Sequence, residues 1–388
     1  MGGEVLLPDR VAKIVQEEYN KLKPSSKPVL RSNGVKEWTV LASTLLLDSN
    51  TGNLKMISLS TGVKALPDKE LSRSGGKMIH DCHAEILALR GFNTVLLKDI
   101  DNMNQNLRQS DLLEISDANG KYHLRAKWKL ILYISRLPCG DASMRTLSNS
   151  SPTSSSLKSI DDSDEFQYID PNIPTILRGR LNFSRNGVVR TKPGRLDSLT
   201  TLSKSCSDKL CLRQVTSILN CMTWSLLDTP VFIDYLLIPQ LNYDNKNDLL
   251  LSFQNRLKCS KVNYRPMKYL TTTVKFSEDK NFITEEPSSM SSIKLFLTQG
   301  ETIEEALLNG VKNGSYTKGN KPLRKNCESI VSRYAQWHIY KRINPNYSAT
   351  SYLEFKRSQT ARLELIKYTN EILSSEGWLP TQPDDFAV

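Results

Sequence analysis

The sequence predicts an α/β layered fold: a central mixed β-sheet with helices on both faces, elaborated by a helical C-terminal half. Three observations predict it. Apolar runs of strand length alternate with longer stretches at helical spacing. One short run, Ile131-Leu132-Tyr133-Ile134, is apolar at every position, as a strand covered on both faces must be. The final third of the chain carries mostly helical patterning.

In order, residues 9–22 read as a helix, with Asp9 as N-cap and Val11, Ile14, Val15 and Tyr19 on its apolar face. Residues 38–48 and 54–61 read as strands of a hairpin joined by Ser49-Asn50-Thr51-Gly52-Asn53. After Gly75-Gly76, residues 81–97 are rich in Ala, Leu and Ile and read as a helix, and 127–135 as a short strand. Seven of the twelve residues 148–159 are serine, and Asp161-Asp162-Ser163-Asp164-Glu165 follows. Such composition cannot build a core, so 148–170 is expected to be a solvated insertion. Residues 207–221 read as a helix and 231–238 as a strand; 302–309, 323–343 and 355–373 read as helices, the last before an acidic tail. No internal repeat is visible, and 1–388 is read as a single domain.

The 388 residues are 39% hydrophobic and 24% charged, which describes a globular chain and excludes wholesale disorder. Seven cysteines (82, 139, 206, 211, 221, 259 and 327), scattered and odd in number, exclude a disulfide scaffold. They fit reduced thiols of the nucleus or cytoplasm that are free to ligate a metal. No apolar run approaches the roughly 20 residues of a membrane span, and no signal segment opens the chain. The net charge of +11 favours an anionic partner, and it is unevenly placed. Residues 311–368 hold twelve Lys and Arg against three acids, and 177–195 hold six basic residues and no acid.

The chemistry concentrates in three short motifs. His83-Ala84-Glu85 opens a helical run, Pro138-Cys139-Gly140-Asp141 follows a strand, and Ser205-Cys206-Ser207-Asp208 opens another helix. Each alone is as readily a turn or a buried thiol as a ligand. In this order they match the His-x-Glu, Pro-Cys and third-thiolate signature of zinc-dependent nucleobase deaminases. One His and two Cys give the three protein ligands of a catalytic zinc that keeps a fourth position for water. Helix N-termini favour thiolates at Cys139 and Cys206. Glu85 is placed as the general acid/base that moves the water's proton to the ring and then to ammonia. Cys82 is the obvious fourth ligand of a structural site, but its adjacency to His83 makes a shared ion difficult.

The wording of the motifs is more specific than this pattern. Ser60-Thr61-Gly62-Val63-Lys64, His80-Asp81-Cys82-His83-Ala84-Glu85-Ile86, Leu137-Pro138-Cys139-Gly140-Asp141-Ala142 and Lys204-Ser205-Cys206-Ser207-Asp208-Lys209-Leu210 resemble the deaminase domain of adenosine deaminases acting on RNA. That family has a cytidine-deaminase-like layered fold and a long gap between its two cysteine ligands. The segment Arg190-Thr191-Lys192-Pro193-Gly194-Arg195-Leu196-Asp197 resembles the branch that modifies tRNA.

The resemblance implies hydrolytic deamination of adenosine to inosine, at the adenosine immediately 3′ of the anticodon of alanine tRNA. It implies zinc at His83, Cys139 and Cys206, Glu85 as catalytic residue, and no protein partner. It also implies a buried inositol hexakisphosphate held by Arg90, Lys209, Lys318, Tyr352, Lys356, Trp378 and Asp384, with Asp81 and Lys209 linking it to the zinc ligands. Departures are Leu89, His80 and Leu212, where the RNA editors have Arg, Asn and Arg, although Arg213 is adjacent. Six phosphates bring roughly −9 to −12, the size of the excess over 311–368.

The resemblance puts Lys64 near the target nucleotide, and Arg178, Arg180, Arg185, Arg190, Lys192 and Arg195 are expected to meet RNA phosphates from an exposed loop. Two alternatives stay open: editing of duplex RNA, against which the missing duplex-binding modules count, and a non-catalytic inositol-phosphate-stabilised RNA-binding protein, against which Glu85 counts.

Overall fold

The computed structural model describes residues 6–387 apart from 106–108, 147–167, 171, 174–175, 180–181, 183–184, 193–198, 200, 259–261, 282–283, 299, 320 and 375–377. Most of the expected insertion 148–170 therefore lies outside the described residues.

Helix α1 (Leu7–Asn20) precedes the hairpin of β1 (Leu41–Asp48) and β2 (Leu54–Thr61). Then come α2 (Ala84–Asn104), β3 (Trp128–Ile134), α3 (Cys206–Thr216), α4 (Cys221–Leu226), β4 (Tyr235–Leu237) and α5 (Tyr243–Leu250). Strands β5 (Lys268–Leu270), β6 (Met290–Phe296), β7 (Thr302–Leu308) and β8 (Val311–Lys312) follow. Helices α6 (Arg333–Ile343), α7 (Tyr352–Ser358) and α8 (Thr360–Leu373) complete the chain.

The central sheet runs β5-β4-β3-β1-β2-β6-β7-β8. β5, β4 and β3 are mutually parallel, and every other neighbouring pair is antiparallel, so the sheet is mixed as expected. Side chains alternate between its faces. Leu41, Leu45, Leu59, Ile131 and Tyr133 pack with Val11, Val15 and Tyr19 of α1. Ala42, Leu46, Leu130, Leu132 and Ile134 pack with Leu87, Phe92 and Leu96 of α2. Burial on both faces is why these strands read as continuous apolar runs.

Several boundaries differ from expectation for local reasons. The helix expected at 9–22 begins at Leu7 with Pro8 in its first turn, and Asp9 accepts from the Thr272 hydroxyl instead of capping. Residues 81–83 form a strand paired with Val63–Ala65 before α2 begins. The expected helix 207–221 is two helices, α3 and α4, with Ser217 at positive φ between them. Of 231–238, only 235–237 pair as β4.

The largest difference is 302–309, expected as a helix and found as β7. Its composition suits a helix, but tertiary partners override propensity on both faces. Glu304 accepts from the Lys23 amide and the Ser26 hydroxyl, and Glu305 from Ser329 and Ile330, while the backbone pairs with β6 along its length. The expected 323–343 helix is confined to α6, whose Ser332 cap accepts from the Ala335 amide. The expected 355–373 helix is two helices broken at Gln359, the first capped by Ser351.

Candidate active site

Two chain segments leave the same end of the sheet, after β2 and β3, and meet the start of α3. Gly62, at the end of β2, donates to the Val40 carbonyl and accepts from the Ala84 amide, which pins the start of α2 there. A Cβ at Gly62 would lie 2.0 Å from the Cys82 carbonyl oxygen, so only glycine allows this approach. Ser60 and Ser58 donate to the Ala84 and Ala88 carbonyls and fix α2 against β2. His83 therefore sits just before α2, and Glu85 in its first turn is 3% exposed.

Cys139 follows β3, and Gly140 takes φ +100°, a conformation that favours glycine. Cys206 is the first residue of α3, whose Ser205 cap accepts from the Asp208 amide. The two cysteine segments are laced together. The Cys206 amide donates to Cys139 Sγ at 3.3 Å, and both the Ser207 amide and its hydroxyl donate to the Cys139 carbonyl at 2.9 Å.

The result is one cluster: His83 Nδ1 lies 3.7 Å from Cys139 Sγ and 3.5 Å from Cys206 Sγ, and all three ligand atoms fall within 4.8 Å of one another. Zinc bonds of ~2.3 Å to sulfur and ~2.0–2.1 Å to nitrogen at tetrahedral angles place S and N about 3.6 Å apart. The donor set and its spacing fit zinc.

Charge is arranged around this cluster. Lys192, 3% exposed, donates to both oxygens of Asp81 at 2.7 and 2.6 Å and to Cys206 Sγ at 3.2 Å. Lys209 also pairs with Asp81 and donates to the Ser203 hydroxyl. Burial opposes ionisation of Asp81, but Lys192, Lys209 and His83 outweigh it and hold the carboxyl well below its usual range. A hydrogen bond from Cys206, helped by Lys192 and His83 against burial, likewise lowers the Cys139 thiol. Lys192 is itself disfavoured by burial, yet Asp81, the two cysteines and Glu85 keep it charged.

The expected exposed basic loop is corrected at two positions. Arg190 is fully buried: Nε donates to Asp141 at 2.9 Å, Nη2 to the carbonyls of Asn182 and Arg185, and its amide to Asp208. Lys192 faces Asp81 and Cys206 as described. A buried guanidinium or ammonium is retained because a carboxylate pairs it, and neither reaches solvent to meet an RNA phosphate. Lys64 and Arg185 are exposed, Arg178 is half-buried, and Arg180 and Arg195 lie outside the described residues.

A second group of cations surrounds the far part of α2. Burial and nearby Arg333 lower the Arg90 guanidinium. Burial, Arg90 and Arg362 push Arg213 down to about 10. Burial, Arg333 and Arg362 lower Lys356. Among the described residues Arg362 Nε has no hydrogen-bond partner. Mutually repelling, part-buried cations with an orphaned donor fit a polyanion.

Tyr352 sits at this group and accepts from the Cys221 thiol. Lys209 pairs with Asp81, and Trp378 lies under Lys204. The other two expected cage residues differ in exposure. Lys318 is exposed, next to Thr317, which accepts from Arg73. Asp384 is the counter-charge of Arg333 and accepts from Ser74 and Gly76, so it orients a cation of this group. Sequence reasoning missed Arg333 and Arg362, whose only signal was the basic excess over 311–368.

The chain matches the family described as the adenosine-deaminase (editase) domain over residues 58–380. It is 49% identical over 387 residues to tRNA-specific adenosine deaminase 1 of Saccharomyces cerevisiae, covering 99% of this chain and 96% of that one. It is 29% identical to the Schizosaccharomyces pombe protein of the same name, covering 97% and 95%. Mouse double-stranded RNA-specific adenosine deaminase is 27% identical over 136 residues, which cover 35% of this chain and 11% of that protein. With its motif residues gathered into one cluster and the family match spanning most of its length, the chain belongs to the adenosine-deaminase (editase) family.

Proposed function

We propose that the protein hydrolyses adenosine to inosine and ammonia in tRNA, at the adenosine immediately 3′ of the anticodon of alanine tRNA. The observation that carries this reading is the convergence of His83, Cys139 and Cys206 beside a buried Glu85. The near full-length likeness to tRNA-specific deaminases supports tRNA as substrate.

Zinc held by His83, Cys139 and Cys206 supplies Lewis acidity that makes water nucleophilic at neutral pH. The remaining work belongs to the chain. Glu85 takes a proton from the attacking water, delivers it to the purine ring nitrogen, and assists the departure of ammonia. Lys192 donates to the Cys206 sulfur and is held there by Asp81, which fixes the ligand's position and charge. Arg185 is read as a contact to tRNA phosphate and Lys64 as a contact near the target nucleotide, readings that their exposure supports.

The buried cations Arg90, Arg213, Arg333, Lys356 and Arg362, with Tyr352 and Lys209, are read as the seat of inositol hexakisphosphate. Their mutual repulsion supports that reading.

The test is incubation of purified protein with unmodified alanine tRNA, reading inosine at the position 3′ of the anticodon. Wild type is expected to convert it. Glu85→Gln is expected to lose about 10²–10⁴-fold in rate with zinc content unchanged. An untouched adenosine with wild type sinks the assignment.

A further inference from the structure

We propose that a single monovalent alkali cation, sodium or potassium, binds in a narrow cavity beside the turn that follows Cys139. The cavity is lined by Asp141, Asn186, Gly187, Asp248, Leu251 and Ser252. Two of these residues are almost sealed from solvent, Asp248 at 5% and Ser252 at 2% exposure. Among the described residues neither Asp248 Oδ2 nor Ser252 Oγ has a hydrogen-bond partner. Buried polar atoms left unpaired are costly, so two lining one cavity point to a ligand that satisfies both.

Local structure places these oxygens together. Asp248 and Ser252 are four residues apart, on one face of the segment where α5 runs into a π-helical turn, Leu251–Asn255. Asp141 lines the same cavity; its Oδ2 accepts from the Gly187 amide and its Oδ1 from Arg190. Asn186 stands exposed at the mouth. Carboxylate, hydroxyl and amide oxygens are hard donors, which suit alkali and alkaline-earth cations and do not suit soft metals.

Charge decides between the candidates. Asp141 is paired by Arg190, and Asp208 by Arg256 with Lys204 nearby, whereas Asp244 and Asp248 share Arg145 alone. Two carboxylates against one guanidinium leave one negative charge beside the cavity. A monovalent cation neutralises it, a divalent cation overshoots, and a water molecule satisfies the hydrogen bonds but not the charge. Such an ion joins three segments: the turn after Cys139, the approach to Arg190 and Lys192, and α5.

Full-length wild-type protein exchanged into N-methylglucamine chloride is titrated with sodium or potassium chloride at constant ionic strength, following the melting temperature. A saturable rise of roughly 3 °C at a hundredfold excess over Kd is expected. The rise is expected to vanish in Asp248→Asn and to need higher salt in Ser252→Ala, the milder change if the first fails to fold. Crystals soaked in thallium(I) acetate are expected to show an anomalous peak between Asp141 and Asp248. Equal melting in all cations, an undiminished rise in both variants, or density for water without an anomalous signal overturns the proposal.

Discussion

Lys192 carries its charge into the interior because two carboxylate oxygens and a sulfur receive it. Removing it leaves Lys209 as the one lysine on Asp81 and takes the lysine donor from Cys206. Lys192→Met is expected to cost about 3–5 kcal/mol of stability, the range for breaking a buried pair, and to lower zinc content. Denaturant melts and metal analysis check both. The same pair sets a pH response. The folded Asp81 carboxyl lies well below its unfolded value of about 3.9, so its contribution is complete above that value and lost as pH falls toward the folded one. Asp81→Asn is expected to lose less stability than wild type between pH 5 and 3, and an equal loss counts against it. In sequence, Arg190 and Lys192 alternate with Gly, Asn and Pro as a solvated loop does. Their acidic partners Asp141 and Asp81 are 49 and 111 residues away, a pairing that local pattern does not encode.

At the level of elements, legibility followed how local the cause was. The hairpin of β1 and β2 and the β3 run were readable because period-two burial and turn residues lie within a few positions. The three ligand motifs were readable for the same reason, since each stands at a junction marked by Gly, Pro or a Ser cap. β7 was not, because Glu304 and Glu305 find their partners in the segment after α1 and in the approach to α6. The break at Gln359 was hidden too, and it matters: it turns α7 and α8 so that Lys356 and Arg362 act on the same group of cations. Native protein expressed in cells is therefore expected to carry inositol hexakisphosphate, detectable by mass spectrometry after denaturation. Arg213→Met with Arg362→Met is expected to reduce both soluble yield and bound polyphosphate. Polyphosphate-free, fully soluble wild type rules the cage out.

For the whole molecule, a net charge of +11 overstates what RNA meets. Arg190 and Lys192 point inward, and Arg333, Lys356 and Arg362 belong to the internal group. The salt dependence of tRNA binding is expected to be shallow: each phosphate contact contributes a slope of about −0.7 to −0.9 in log K against log salt. A total slope no steeper than about −4 is expected from filter binding across a salt series, and one near −10 contradicts this partition.

The cluster of His83, Cys139 and Cys206 also has a schedule. Its ligands are separated by 56 and 67 residues, and the Thr61 and Ser292 hydroxyls that join β2 to β6 are 231 residues apart. Synthesis runs from the N-terminus at about 5–20 residues per second, so His83 waits several seconds for Cys206, and the β2 edge waits longer for β6. A metal held by all three can therefore bind only after Cys206 has been made. Fragments ending before residue 206 lack one of the three ligands and the β6 partner of β2, and so present an unpaired strand edge prone to association.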